Sequence, residues 1–318
     1  MNTAESTGRP SSAVSRLDPS AITALLGAEE AGHLRAKATG GANGFKGFKF
    51  EHLFGAHRIA RLARRYMSDG SDALVEWQSD GFVDDFVVRR DAIGSFKGYQ
   101  AKNAQAVSWT AGARGIEQDF RSQAQVCAAE GYVDVRLRLV CSSPDVVEGL
   151  QHRTPAAIAG YSKSIYFPYS AKALLPVLEG HPWMRDDFAF LSKLEKPLTI
   201  EVSHVAAVLM GAWDLLAPAA QVSAVLRQAR AMSPTLVRAL QSDGQAIACL
   251  DPRFALLMET WQGFSYRIIR GFLSWSAFDG STSGVLSVDC FDPKFRGFQD
   301  HILSLSPLSF EQVEGAFI

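Results

Sequence analysis

Two β-type runs, "FVDDFVVRR" (82–90) and "SFKGYQAK" (95–102), stand only four residues apart. The linker Asp91-Ala92-Ile93-Gly94 has the length of a hairpin turn, so the two runs are expected to pair. "ALVEWQ" (73–78) precedes them as another strand, and "GIEQDFRSQAQVCAAEG" (115–131) follows as a helix with a glycine stop. "VDVRLRLVCSS" (133–143) then alternates apolar and polar residues, the pattern of a half-buried strand. Upstream, Phe50, Leu53, Phe54, Ile59, Leu62 and Tyr66 recur at near-helical spacing, which predicts an amphipathic helix over 48–67, broken by "SDGSD". Helix, three strands, helix and strand in that order specify an α/β mixed sheet with flanking helices.

The remainder divides by composition. Residues 1–40 are expected as a flexible arm, rich in Ser, Thr, Ala and Pro, with a first helix over 21–37. Residues 41–150 hold the strands. From 151 to 318 strand signals thin out, and a mostly helical domain is expected. "TIEVSHVAAVLMGAWDLLA", "APAAQVSAVLRQARAM", "SPTLVRALQSDG" and "DPRFALLMETWQGFSYRIIRGFLSW" all read as helix. Ser233-Pro234 and Asp251-Pro252 look like helix starts. Trp261, Phe264, Ile268, Phe272 and Trp275 lie at helical spacing as core or interface, and a few strands are expected near "GVLSVDCF".

A net charge of -1 offers no global electrostatic handle. The 4 cysteines form no CxxC pair, which argues against a zinc site or a disulfide framework and fits a reducing cytoplasm. No basic start followed by an apolar core marks a secretory signal, and the apolar run "VAAVLMGAW" is too short to span a bilayer. No membrane association is expected.

Residues two apart in a strand share a face, so Gln100 and Lys102 point the same way. An acid from "VDD" lies beside them if the hairpin forms. A carboxylate, an amide oxygen and an ammonium on one patch suit metal-assisted phosphodiester hydrolysis. Hard cations take oxygen ligands, the metal helps deprotonate a water, and the lysine stabilises developing charge. Basic residues crowd the preceding helices: Arg35, Lys37, Lys46, Lys49, Arg58, Arg61, Arg64 and Arg65. By their spacing Arg58, Arg61 and Arg65 share one helix face, suited to phosphate contacts.

The acid, the strand and "QAK" resemble the PD-(D/E)xK restriction-endonuclease-like nucleases, in the variant with glutamine replacing the second acid. "GFKFEHLFGAHRIARL", then "VEWQSDGFVDDFVV" and "YQAK", is similar to the double-stranded DNA endonuclease domain of bacterial anti-phage effectors such as those of CBASS operons. The resemblance covers roughly residues 44–145. It implies a restriction-endonuclease-like sheet and a catalytic set of Asp85, Gln100, Lys102, Glu76 and Glu51. Asp85, Gln100 and Glu76 would hold Mg²⁺ or Mn²⁺. Glu51 departs from the more usual glutamine, leaving metal contact and helix-end contact both open for it. Asp84 is the alternative to Asp85, which directly abuts the apolar triplet. Arg58, Arg61, Arg65, Lys46 and Lys49 would contact double-stranded DNA. The C-terminal part would act in sensing, in homo-oligomerisation or in docking a defence-system partner. The rival reading is a catalytically inactive DNA-binding or assembly subunit.

Overall fold

The computed structural model describes residues 19–41, 48–110, 115–216 and 218–317. Helices α1 (Pro19–Leu26) and α2 (Ala28–Gly41) flank Gly27, which takes a left-handed φ of 93° and divides the single helix expected there. Helix α3 (Phe48–Asp69) follows, then β1 (Leu74–Trp77), β2 (Phe86–Arg90), β3 (Ser95–Lys102), α4 (Ile116–Ala129) and β4 (Asp134–Cys141). Each lies where hydrophobic periodicity put it. β1, β2 and β3 pair antiparallel, and β4 runs parallel to β3 across the α4 crossover.

The sheet does not stop there. After α5 (Pro144–His152), β5 (Ser162–Tyr166) adds in parallel to β4. Helices α6 (Leu175–Gly180), α7 (Pro182–Ala189) and α8 (Thr199–Asp214) follow. A short strand, β6 (Ala219–Gln221), then returns to pair with β1, and α9 (Val222–Met232) packs back on α8. The order is β5-β4-β3-β2-β1-β6. Its main core joins Phe50, Ile59, Val75 and Phe86 to Val205, Trp213, Val225 and Val237. The boundary expected at residue 150 is therefore corrected: the first unit extends to about residue 240, because α8, α9 and β6 complete its sheet and core.

The second unit has its own core, running from Ala246 to Phe317. It holds α10 (Asp243–Ile247), α11 (Pro252–Thr260), β7 (Ser265–Ile269), β8 (Phe272–Ala277), β9 (Thr282–Val285), α12 (Pro293–Leu305) and α13 (Glu314–Phe317). Asp251 caps α11 as expected, accepting from the Arg253 N–H. The helix expected through "SYRIIRGFLSW" is instead an antiparallel hairpin. Arg270 and Gly271 both have positive φ, 56° and 82°, the geometry of a two-residue hairpin turn. Ser233 ends α9 rather than starting a new helix. Trp261, Phe264 and Trp275 pack inward with Phe310 and Phe317, so the aromatic row read as one helix face closes a core of its own unit.

The hairpin tip pins the two units together. Arg270 Nη1 donates to the carbonyls of Ala189 and Ser192, each at 2.9 Å, and to that of Leu194. Arg230 pairs with Asp289 across the same junction. Arg270→Ala leaves three carbonyls without their donor and is expected to cost about 2–3 kcal/mol, since bonds from a charged donor are the stronger kind. A lower urea midpoint checks this. An unchanged midpoint would show that the contact is dispensable.

Candidate active site

The hairpin register brings the two halves of the site together. Phe86 pairs with Tyr99, so Asp85, one residue earlier, faces Gln100, one residue later. Asp85 Oδ2 accepts from Gln100 Nε2 at 2.7 Å and from the Ala101 N–H at 2.6 Å. Both bonds land on Oδ2, and among the described residues Oδ1 accepts none. The carboxylate is buried and held by β3 through side chain and backbone at once. The neighbouring Asp84 is also buried.

Lys102 ends β3, and Glu51 enters from the first turn of α3. Burial first, then the charges of Asp85 and Asp84, push the Glu51 carboxyl up to about 7, against the opposing pull of Lys102 and a hydrogen bond from Gln78. Glu51, Asp84, Asp85, Gln100 and Lys102 thus share one end of the sheet. Gln78 is a member the sequence did not offer. Its Nε2 donates to Glu51 Oε2 at 2.8 Å from a left-handed backbone position, φ 50°. Positive φ at a non-glycine residue leaves no mark in the sequence, which is why it was missed.

Glu76 does not belong to this set, which corrects its assignment as catalytic and metal-binding. Its carboxylate is bound to Arg89 in an ion pair buried on both sides. Glu76 sits opposite Val87, and the pair lines a separate cavity with Phe82 and Gln123.

The expected arginine face is also revised. Arg58 turns inward and lays its guanidinium over Tyr99, 5.2 Å from the ring centre. Arg61 and Arg64 converge on Asp187, at 3.6 and 3.2 Å, where His57 already bonds at 2.9 Å. Arg65 pairs with Asp69 one turn on, at 3.6 Å. Helical spacing put these residues on one side of α3, but α7, the sheet and α3 itself supply their partners. Lys49 is exposed at the start of α3. Lys46 and the side chains of Arg35 and Lys37 lie outside the described residues.

Among the described residues no three Asp, Glu, His or Cys side chains are grouped closely enough to hold a metal ion as they stand. None of their helices is long and apolar enough to cross a membrane. No protein-family model matches the chain, and comparisons with curated proteins and with solved structures find no match.

The Glu51 carboxyl makes stability depend on pH with a definite sign. Its folded value, about 7, lies above its ordinary value of 4.5. The folded state then holds the proton more tightly than the unfolded chain. This contribution is complete below about pH 4.5 and is lost as pH rises through 7. In EDTA, wild type should lose stability between pH 5 and 8 relative to Glu51→Gln, measured as urea midpoints. Parallel pH profiles would show that Glu51 titrates normally.

Proposed function

We propose that the chain is a metal-dependent endonuclease acting on double-stranded DNA. One observation carries this reading: Asp85 is clamped by Gln100 and the Ala101 N–H at the sheet end where Lys102 and Glu51 meet. The order helix, antiparallel hairpin, helix and parallel strand supports it, since it brings "VDD" and "QAK" to one place. In chemistry, though not in spacing as it stands, the oxygen-rich donor set suits a hard divalent cation. Three carboxylates face a single ammonium, and Asp85 is oriented through one oxygen while the other accepts no protein bond. Asp85, Glu51 and the Gln100 carbonyl would hold Mg²⁺ or Mn²⁺. When bound, such an ion polarises a phosphodiester and lowers the pKa of a water. Lys102 places positive charge beside the negative charge that develops on phosphate. Glu51 titrates near neutral pH, the range suited to accepting a proton from an attacking water. A role as an anti-phage effector, restrained by the second unit or by assembly, rests on the sequence resemblance.

The test is plasmid cleavage by the full chain. Cleavage should rise with added Mg²⁺ or Mn²⁺, stop in EDTA and be lost in Asp85→Asn. Undiminished cutting in excess EDTA rejects the mechanism. Duplex binding without cleavage at any metal concentration would favour the inactive DNA-binding subunit.

A further inference from the structure

Away from that site, the sheet carries a second concentration of charge. On the face that α3 packs against, the strand registers align cations side by side. Lys97 of β3 pairs with Arg136 of β4, and Arg138 of β4 pairs with Lys163 of β5. Arg90 of β2 projects from the same face as Val88, which pairs with Lys97. Arg58 reaches over from α3 onto Tyr99, the strand partner of Arg138. Six cations from four strands and one helix therefore adjoin.

Among the described residues, acids do not balance them. Asp134 bonds Arg136 Nε at 2.9 Å, and Asp69 is shared between Arg65 and the edge of the group at Arg90. Arg138 is fixed by the carbonyls of Leu137 and Tyr161, which orient its guanidinium without neutralising it. Among the described residues, the Nε atoms of Arg58 and Arg90 are buried and find no hydrogen-bond partner. Partial burial, and then the neighbouring cations, weaken the hold of Arg90 and Lys97 on their protons.

The shape of the strip points to the class of anion. Four neighbouring strands at about 4.8 Å spacing spread the charges over roughly 14 Å, and Arg136 to Arg138 adds about 7 Å along the strand. Arg136 and Lys163 are exposed, and the other four are half-buried. An open strip of that length fits successive phosphates of a backbone better than one enclosed phosphate. We propose that Arg58, Arg90, Lys97, Arg136, Arg138 and Lys163 form a sequence-independent track for the phosphodiester backbone of duplex DNA. Lys97 lies five residues before Lys102 on the same strand but projects from the opposite face of the sheet, so the track is separate from the candidate active site. The track goes beyond the nuclease reading, because it requires no metal and no cleavage.

The test is fluorescence anisotropy with a labelled 30-base-pair duplex, in EDTA, as a function of salt. Arg136→Gln with Lys163→Gln changes only exposed side chains. It should weaken binding about tenfold at moderate salt and flatten the log-log salt slope by roughly 1.8, at about 0.9 per phosphate contact. Arg61→Gln, on the Asp187 side of α3, should leave the slope unchanged. An unchanged slope in the folded double variant overturns the track. So does a wild-type protein that binds inorganic tripolyphosphate but no duplex. Duplex binding that responds to the double variant while no metal supports cleavage would fail the nuclease reading and leave the track standing.

Discussion

Lys102→Ala should abolish metal-dependent plasmid cleavage, by roughly 10²–10³-fold, with little change in melting temperature. Loss of one preorganised charge at a developing anion has effects of that size. Lys102 stands half-buried at the end of β3, outside the apolar cores, so its removal leaves little cavity. The variant carries a second signature. Lys102 draws the Glu51 carboxyl down toward its ordinary value, so without it Glu51 should titrate higher. Any residual activity should shift its acid limb to higher pH. Wild-type cleavage rates in the folded variant would remove Lys102 from the mechanism.

A chain cut after Gly149 should not fold. It keeps α3 and β1 to β4 but loses β5, β6, α8 and α9. Trp213 of α8 is wholly buried, with His52, Trp77 and Phe86 at 5.5, 5.9 and 5.3 Å from its ring. α3 admits it by carrying Gly55, where a Cβ would meet the indole at 2.4 Å. Val202, Leu209, Val222, Val225 and Leu226 leave with it, all within the main core. Each large apolar side chain contributes about 1.5–3 kcal/mol on full burial. Their joint loss exceeds much of the roughly 5–15 kcal/mol by which a domain is stable. A chain ending at Gln241 keeps that core and loses the Arg270 and Arg230 contacts, so it should melt cooperatively at a lower temperature. Circular dichroism melts of the two fragments decide it. A cooperative transition in the shorter one would show that the sheet stands without its later strands.

What could be read in advance was local. β1 to β4, α3 and α4 each carry their own periodicity, and a four-residue linker fixed the hairpin that sets Asp85 against Gln100. β6 could not be read, because three residues, Ala219–Gln221, hold no periodicity and pair with a strand far back in the chain. The β7–β8 hairpin is masked in the sequence, because Phe264, Ile268 and Phe272 satisfy a helical repeat while "FLSWSA" also alternates. Arg270-Gly271 was the signal that decided between them. Glu76 failed for a different reason. Strand alternation gives the face of a carboxylate but not the cation beside it, and Arg89 becomes its neighbour only once the register places it diagonally across the hairpin. Arg58 failed likewise: spacing shows which side of a helix a residue occupies, not what packs there.

The pairing of β1 with β6 also sets a clock on biosynthesis. The strand that closes the sheet edge leaves the ribosome about 150 residues after its partner, roughly 7–30 s later at ordinary rates of elongation. Trp213, which seats the helix bearing Glu51, is made only shortly before it. Throughout that interval "VDD" and "QAK" already exist as polypeptide while the helix that brings Glu51 to them has no settled place. A nascent chain still tethered to its messenger therefore carries Asp85, Gln100, Lys102 and Glu51 before the strand and helices that bring them together are complete.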